Sequence, residues 1–326
     1  MHLRFSAPRR GLGLVLTLLA AALTAGGCTH RGHGRLLRET SRLPDRVVVG
    51  NVPFFPQEKY QCGPAAMAMA LAWSGDEVAL DDLVRQVYLP HRQGSLQTGL
   101  ITAARRHARL GYVIAGPEKL LGELAAGHPV IVLQNLGTDW YPAWHYAVAV
   151  GFDRTAEAVI LHTGTHEARL TGWSRFLFTW ERGRYWGLVV LPPGKLPADD
   201  DEGAYLRAVL GLEQAQQWEA ASRAYAAALQ RWPDSPGALI GLGNTHIMQD
   251  AWEQAEAALR RAVAANPASA DAANNLAHVL ARRGQTAEAL AWARRAVAMG
   301  GPNLSIYRQT LREIEIQLKQ GRPQQP

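Results

Sequence analysis

Cys62 is followed by Gly63 and Pro64 and then by the apolar run Ala65-Ala66-Met67-Ala68-Met69-Ala70-Leu71-Ala72-Trp73, so a loop becomes a helix at the cysteine. Proline suits a first helical turn, where its missing N–H has no partner to lose. A thiol at a helix N-terminus lies at the positive end of the helix dipole, which favours the thiolate and lowers the thiol pKa. The free amides of the first turn point toward whatever the sulfur attacks. The preceding residues Lys59 and Gln61 are polar, a poor setting for a buried structural cysteine. The chain has two cysteines, which excludes zinc ribbons and disulfide frameworks.

A thiolate nucleophile needs a base, and histidine is the usual one. Of eleven histidines, His2, His30 and His33 lie near the N-terminus, His246 and His278 fall on helices of a repeat region, His107 and His128 read as surface, and His91 and His166 fall in loops. His145 and His162 remain. His145 opens the alternating run Trp144-His145-Tyr146-Ala147-Val148-Ala149-Val150-Gly151-Phe152-Asp153, which reads as a strand. At the first position of a central strand a side chain is held rigidly and is placed to face a helix N-terminus packed on the sheet.

Gln57, then Cys62-Gly63-Pro64-Ala65-Ala66, then the strand from His145 to Asp153 resemble the papain-like cysteine peptidases of the bacteriocin-leader-processing, C39-like type, over roughly residues 50–190. The resemblance implies that Cys62 attacks a carbonyl to give a thioester, that His145 takes the thiol proton, and that Gln57 with the Cys62 amide holds the oxyanion. It also implies an Asp-Pro at the end of the next strand, where the Asp orients the imidazole. Here that strand reads Ala158-Val159-Ile160-Leu161-His162-Thr163-Gly164, with no carboxylate. His162 or Thr163 occupies about that place, and His162 is the candidate orienter. The expected function is therefore a membrane-anchored cysteine peptidase acting on a peptide or protein substrate. The competing readings are a weak or inactive peptide-binding scaffold, or an amidase or acyltransferase using the same nucleophile. No cofactor and no metal are implied.

The elements that must position these residues are helices over Cys62–Trp73, Leu80–Val87 and Gln97–Arg109, a short strand at Tyr112–Ala115, and a helix opened by Pro117 and closed by Gly127. Apolar strands follow at Val130–Gln134, His145–Gly151, Val159–His162 and Gly187–Leu191. Helices first and an antiparallel sheet after make an α+β, papain-like domain over 47–191. Residues 192–201, with Pro192, Pro193, Gly194, Pro197 and an acidic run, read as a linker.

Residues 202–326 are Ala-rich and repeat internally. Trp232-Pro233 recurs 34 residues later as Asn266-Pro267, with Ala221 and Ala255, and Ala228 and Ala262, in step. A third copy places Leu276-Ala277, Ala289 and Ala296 in register. This is similar to tetratricopeptide repeats, at about 202–235, 236–269 and 270–302, with a capping helix from Asn303 to Lys319. An all-α repeat domain with a concave face for a protein partner is expected.

Before the folded part, Arg9-Arg10 precede an uncharged run from Gly11 to Gly27 that ends at Cys28. That is the plan of a secretory signal over 1–27. The cysteine at its end resembles a bacterial lipobox, with a lipidated tether over 28–46. Thr29 rather than Asp after the cysteine resembles outer-membrane sorting, facing the periplasm. The formal charge of +6 belongs to Arg4, Arg9 and Arg10 and to the arginine-rich stretch behind them; the rest of the chain is neutral. A nucleic-acid binder needs a basic face on its folded part, so that class is excluded.

Overall fold

The computed structural model describes residues 42–58 and 60–320; the leader, the lipidation site Cys28 and most of the tether lie outside the described residues. Strand β1 (Arg46–Val48) precedes helices α1 (Cys62–Trp73) and α2 (Leu80–Val87), a two-stranded ribbon of β2 (Tyr88–Leu89) and β3 (Gly94–Ser95), and α3 (Gln97–Arg106). Then come β4 (Leu110–Ala115), α4 (Pro117–Ala125), β5 (Val130–Asn135), β6 (Trp144–Asp153), β7 (Ala158–Thr163), β8 (His166–Gly172), α5 (Trp173–Glu181) and β9 (Trp186–Leu191). The seven-stranded sheet has the order β4-β9-β5-β6-β7-β8, with β1 added on β6. Every pairing is antiparallel. The α+β architecture expected from the sequence is the one found.

Alternation along the strands serves two cores. Ile131, Leu133, Tyr146, Val148, Val150 and Ile160 face a cluster with α1, α2 and α3. Val130, Val132, Ala147, Ala149, Val159 and Leu161 face a second cluster with α4 and α5. With period 2, one strand feeds both layers, which is why Val130–Leu133 of β5 and Tyr146–Phe152 of β6 carry no charged residue and are almost wholly apolar. Helix α1 is buried from Gly63 to Leu71, so it lacks a polar face: it is the central helix, enclosed by the sheet, α2 and α3.

Three features depart from the sequence reading. His166 opens strand β8 instead of lying in a loop, and α5 follows it; β8 is exposed along most of its length and carries no apolar alternation to announce it. His128, expected at the surface, is buried. Gly127 turns the chain back at φ +81°, so the ring packs edge-on against Trp73 and Nδ1 lies 2.7 Å from the fully buried Glu123. His107 is half-buried between Asp76 and Gln86.

The C-terminal region forms helix pairs α6 (Glu202–Gln214) and α7 (Trp218–Arg231), α8 (Pro236–Met248) and α9 (Trp252–Ala265), and α10 (Ala270–Arg282) and α11 (Thr286–Met299), closed by α12 (Leu304–Gln320). The side chains of Asp201, Ser235 and Ser269 each accept the amide three residues on, one N-cap per repeat at the same 34-residue interval. Small residues admit bulky ones between neighbouring helices: a Cβ on Gly241 of α8 would strike the Tyr225 ring of α7 in the preceding pair, and one on Gly243 would strike Leu259 of α9 within the pair.

The segment read as a linker is held down. Arg231 donates to the carbonyls of Pro197 and Asp199 at 2.9 and 2.7 Å. Ala198 N donates to Glu123 at 2.9 Å, and Lys119 pairs with Asp199 at 2.6 Å. Helix α6 then packs on the sheet-edge strand β4, so Tyr205, Val209 and Leu212 share one core cluster with Leu110, Tyr112 and Ile114.

Candidate active site

Helix α1 starts at Cys62 itself, behind Gln61 as N-cap and Tyr60 at φ +67°, a left-handed backbone uncommon for a non-glycine residue. Gly63 is required by packing: a Cβ there would lie 2.5 Å from Ser95 Oγ and 3.6 Å from the Tyr146 ring. The β2–β3 ribbon therefore presses directly on the first turn of α1. Cys62, His145 and Gln57 line one cleft of about 880 Å³, walled by Arg92 to Gln97 on one side and Pro142 to Tyr146 on the other. The sequence singles out Cys62, His145 and Gln57 but neither wall.

Burial is the dominant influence on the thiol and pushes the Cys62 pKa up; the backbone amides of Tyr146, Gly63 and Cys62 itself hydrogen-bond the sulfur and pull the other way. Burial also takes the His145 imidazole down to about 4. The lowered thiol pKa expected from the helix dipole is thus reversed. The dipole stabilises an exposed charge by roughly 0.3–1 kcal/mol, and desolvation at this depth outweighs it. Burial favours a neutral thiol and a neutral imidazole in the resting cleft at neutral pH.

The carboxamide of Gln57 is fixed from both ends. Nε2 donates to Tyr146 O at 3.1 Å, Oε1 accepts from Gly164 N at 2.9 Å, and Gln57 N donates to Gly164 O at 2.9 Å. One Nε2 hydrogen is used in this way. The other is left over on a side chain that lines the cleft.

His162 does not meet His145. Its Nδ1 accepts from Ala168 N at 3.0 Å, its Nε2 faces Val52 O at 3.3 Å, and its ring lies 5.4 Å from that of Phe54. An amide donor on one nitrogen and a carbonyl on the other hold the ring in its neutral Nε2–H form, and burial lowers its pKa. The hydrogen-bond partner of His145 Nε2 is instead Thr163 Oγ1, at 2.7 Å. The reason lies in the register. Strand β6 pairs Ala149 with Leu161 but Gly151 with Ile160, and β7 is again irregular against β8 between Leu161 and Thr163. A one-residue slip exchanges the faces of a strand, and a single sequence does not display it.

Among the described residues no group of three or more His, Cys, Asp and Glu side chains is gathered as metal ligands would be, and no helix is long and apolar enough to cross a membrane.

Residues 49–185 match the family model described as "Peptidase_C39 like family". Residues 212–274 and 249–303 match two models described as tetratricopeptide repeat. No curated protein matches the chain. Among solved structures, the MamA protein is similar over 36% of this chain and 64% of its own, under two thirds of its length, at 20% identity and a TM-score of 0.34. The TPR2B domain of yeast Sti1 is similar over 36% of this chain and 99% of its own, at 16% identity and a TM-score of 0.35. The first TPR domain of human RPAP3 is similar over 36% and 93%, at 17% identity and a TM-score of 0.35. With the sheet, the helices and the 34-residue period in place, the chain is a peptidase C39-like domain followed by tetratricopeptide repeats.

Proposed function

We propose that the protein is a lipid-anchored cysteine peptidase of the bacterial envelope, tethered through Cys28 to the outer membrane and facing the periplasm, whose repeats recruit a substrate or a protein partner. The observation that carries the catalytic part is the convergence of Cys62, at a helix N-terminus, with His145 and Gln57 on one cleft. In this reading Sγ of Cys62 attacks the scissile carbonyl carbon while His145 takes the thiol proton. The Cys62 amide and the second Nε2–H of Gln57 hold the oxyanion. The C–N bond breaks as His145 returns the proton to the leaving amine, and water then hydrolyses the thioester with His145 as base. Because the resting pair is neutral, the proton moves during the attack instead of before it. Tyr60, Leu96 and Trp144 are large apolar side chains, 41%, 44% and 54% exposed, and all three line the cleft. They offer surface to an apolar stretch of substrate chain.

A second reading has one observation in its favour: a hydroxyl, not a carboxylate, partners His145. With no full charge to stabilise an imidazolium, the domain could serve as a peptide-binding scaffold with little turnover. A single experiment separates the two. The full chain is extracted from membranes in detergent, treated with a thiol-directed acyl-electrophile probe and weighed intact. The peptidase reading expects a lipid-modified chain starting at Cys28 and one probe adduct at Cys62. It also expects that adduct to be absent in Cys62→Ala and slowed at least tenfold in His145→Ala. A Cys62 that labels no faster than a free thiol, and equally fast without His145, establishes the scaffold reading.

A further inference from the structure

An imidazole acts as a base only if one nitrogen is bare and aimed at the proton it takes, and the partner on its other nitrogen decides which one that is. In His145 that partner is Thr163 Oγ1, 2.7 Å from Nε2, in a partly buried position between adjacent antiparallel strands. Thr163 is the last residue of β7, and Gly164 follows it at φ +57°. Gly164 exchanges two backbone hydrogen bonds with Gln57, one to the carboxamide and one to the main chain. The Thr163-Gly164 corner thus fastens the base through its side chain and the oxyanion donor through its backbone.

We infer that Thr163 is the positioning residue for His145: its hydroxyl accepts the Nε2–H and leaves Nδ1 bare toward the cleft and Cys62. A hydroxyl can also donate. If Thr163 donated to Nε2, Nδ1 would carry the hydrogen and could not take the thiol proton. If Cys62 and His145 are the reacting pair of one cleft, the S–H of Cys62 is the donor that the cleft-side nitrogen must accept, and both ends of the ring are then satisfied only when Thr163 accepts. His162 is excluded from this role by its own two hydrogen bonds. A threonine holds the ring without adding charge, in keeping with a site whose two reacting groups rest neutral.

This inference rests on the reading of Cys62 and His145 as a reacting pair. It is tested in the full-length chain with Thr163→Ser, Thr163→Val and Thr163→Asp. The first readout is the 15N chemical shifts of the His145 ring, which report the tautomer directly. The second is iodoacetamide alkylation of Cys62 against pH, resolved from Cys28 by peptide mass analysis. Wild type and Thr163→Ser are expected to show Nε2 protonated and Nδ1 bare. Thr163→Val, nearly isosteric, is expected to keep the thermal unfolding midpoint within a few degrees but to lose the single tautomer. Thr163→Asp adds a charge beside the ring, which raises a histidine pKa by about 1–3 units. Cys62 alkylation near pH 6.5 is then expected to rise at least tenfold.

A Thr163→Val protein with the wild-type tautomer overturns the inference, as does a wild-type ring protonated on Nδ1. If Thr163→Asp does not fold, the Ser and Val variants decide through the ring shifts alone. Alkylation of His145→Ala keeps the two failures apart. If that variant alkylates like wild type, the reacting pair itself is refuted. If it is slowed while the Thr163→Val ring is unchanged, only the role of Thr163 is refuted.

Discussion

Cys62 and His145 are both held in their neutral forms by burial, and this has a consequence for pH dependence. Burial takes His145 down to about 4 and Cys62 above its ordinary value, so both groups stay neutral between those limits. Turnover is expected to stay flat across neutral pH and to fall only as pH drops through about 4, where His145 gains a proton and ceases to be a base. A pH–kcat/KM profile checks this; an acid limb near 6.5 contradicts it. The same depression affects stability. An unfolded chain binds a proton at His145 near 6.5 and the folded chain near 4, so folding weakens as pH falls through that window. Replacing His145 with Gln is expected to make the decline in unfolding free energy between pH 6.5 and 4 shallower by up to one proton. Cys62, His145 and Gln57 stand out in the sequence by their types and spacing, and the fold brings all three to one cleft. Thr163 was not separable from His162, because the strand irregularities that decide between them are properties of pairing.

At the scale of elements, α1 and α2 were readable to the residue, since an apolar run behind Pro64 and a strongly two-faced stretch each leave a plain pattern. The exposed strand β8 left none. The repeats were read from Pro233 and Pro267, but the structure adds two further signals at the same interval. One is the set of caps at Asp201, Ser235 and Ser269. The other is a left-handed residue between the two helices of each pair: Gln216 at φ +57°, Asp250 at +54° and Gly284 at +76°. Only the third repeat places a glycine there. A left-handed residue with a Cβ costs about 1–2 kcal/mol, partly offset by the greater freedom of glycine in the unfolded chain. Gln216→Gly is therefore expected to stabilise the protein by up to ~1 kcal/mol, read as a small rise in the thermal midpoint. A fall in the midpoint would show that the Gln216 side chain supplies more than its backbone costs.

Across the whole molecule, the composition of residues 192–201 suggested a free linker, yet two of their carbonyls accept from Arg231, Asp199 pairs with Lys119, and the Ala198 amide donates to the Glu123 carboxylate. Composition cannot show this, because the gripping partners lie in distant parts of the chain. The first repeat thereby becomes part of the C39-like domain's core, and the two regions should unfold together. Calorimetry is expected to show one transition that moves as a unit when Tyr205 becomes Ala, a truncation costing ~3–5 kcal/mol at a buried aromatic. Two separable transitions, with Tyr205→Ala lowering only one, would mean that the shared core does not couple them.

The central claim is that Cys62 forms a thioester with help from His145 and Gln57. Its most direct test is to mix the full chain with an activated peptide ester, quench in acid and weigh the intact protein. The account predicts a transient adduct of one acyl group, mapped to Cys62, absent in Cys62→Ala and formed at least tenfold more slowly in His145→Ala and in Gln57→Ala. No adduct, or one that forms on Cys62 at the same rate without His145 and Gln57, would contradict it.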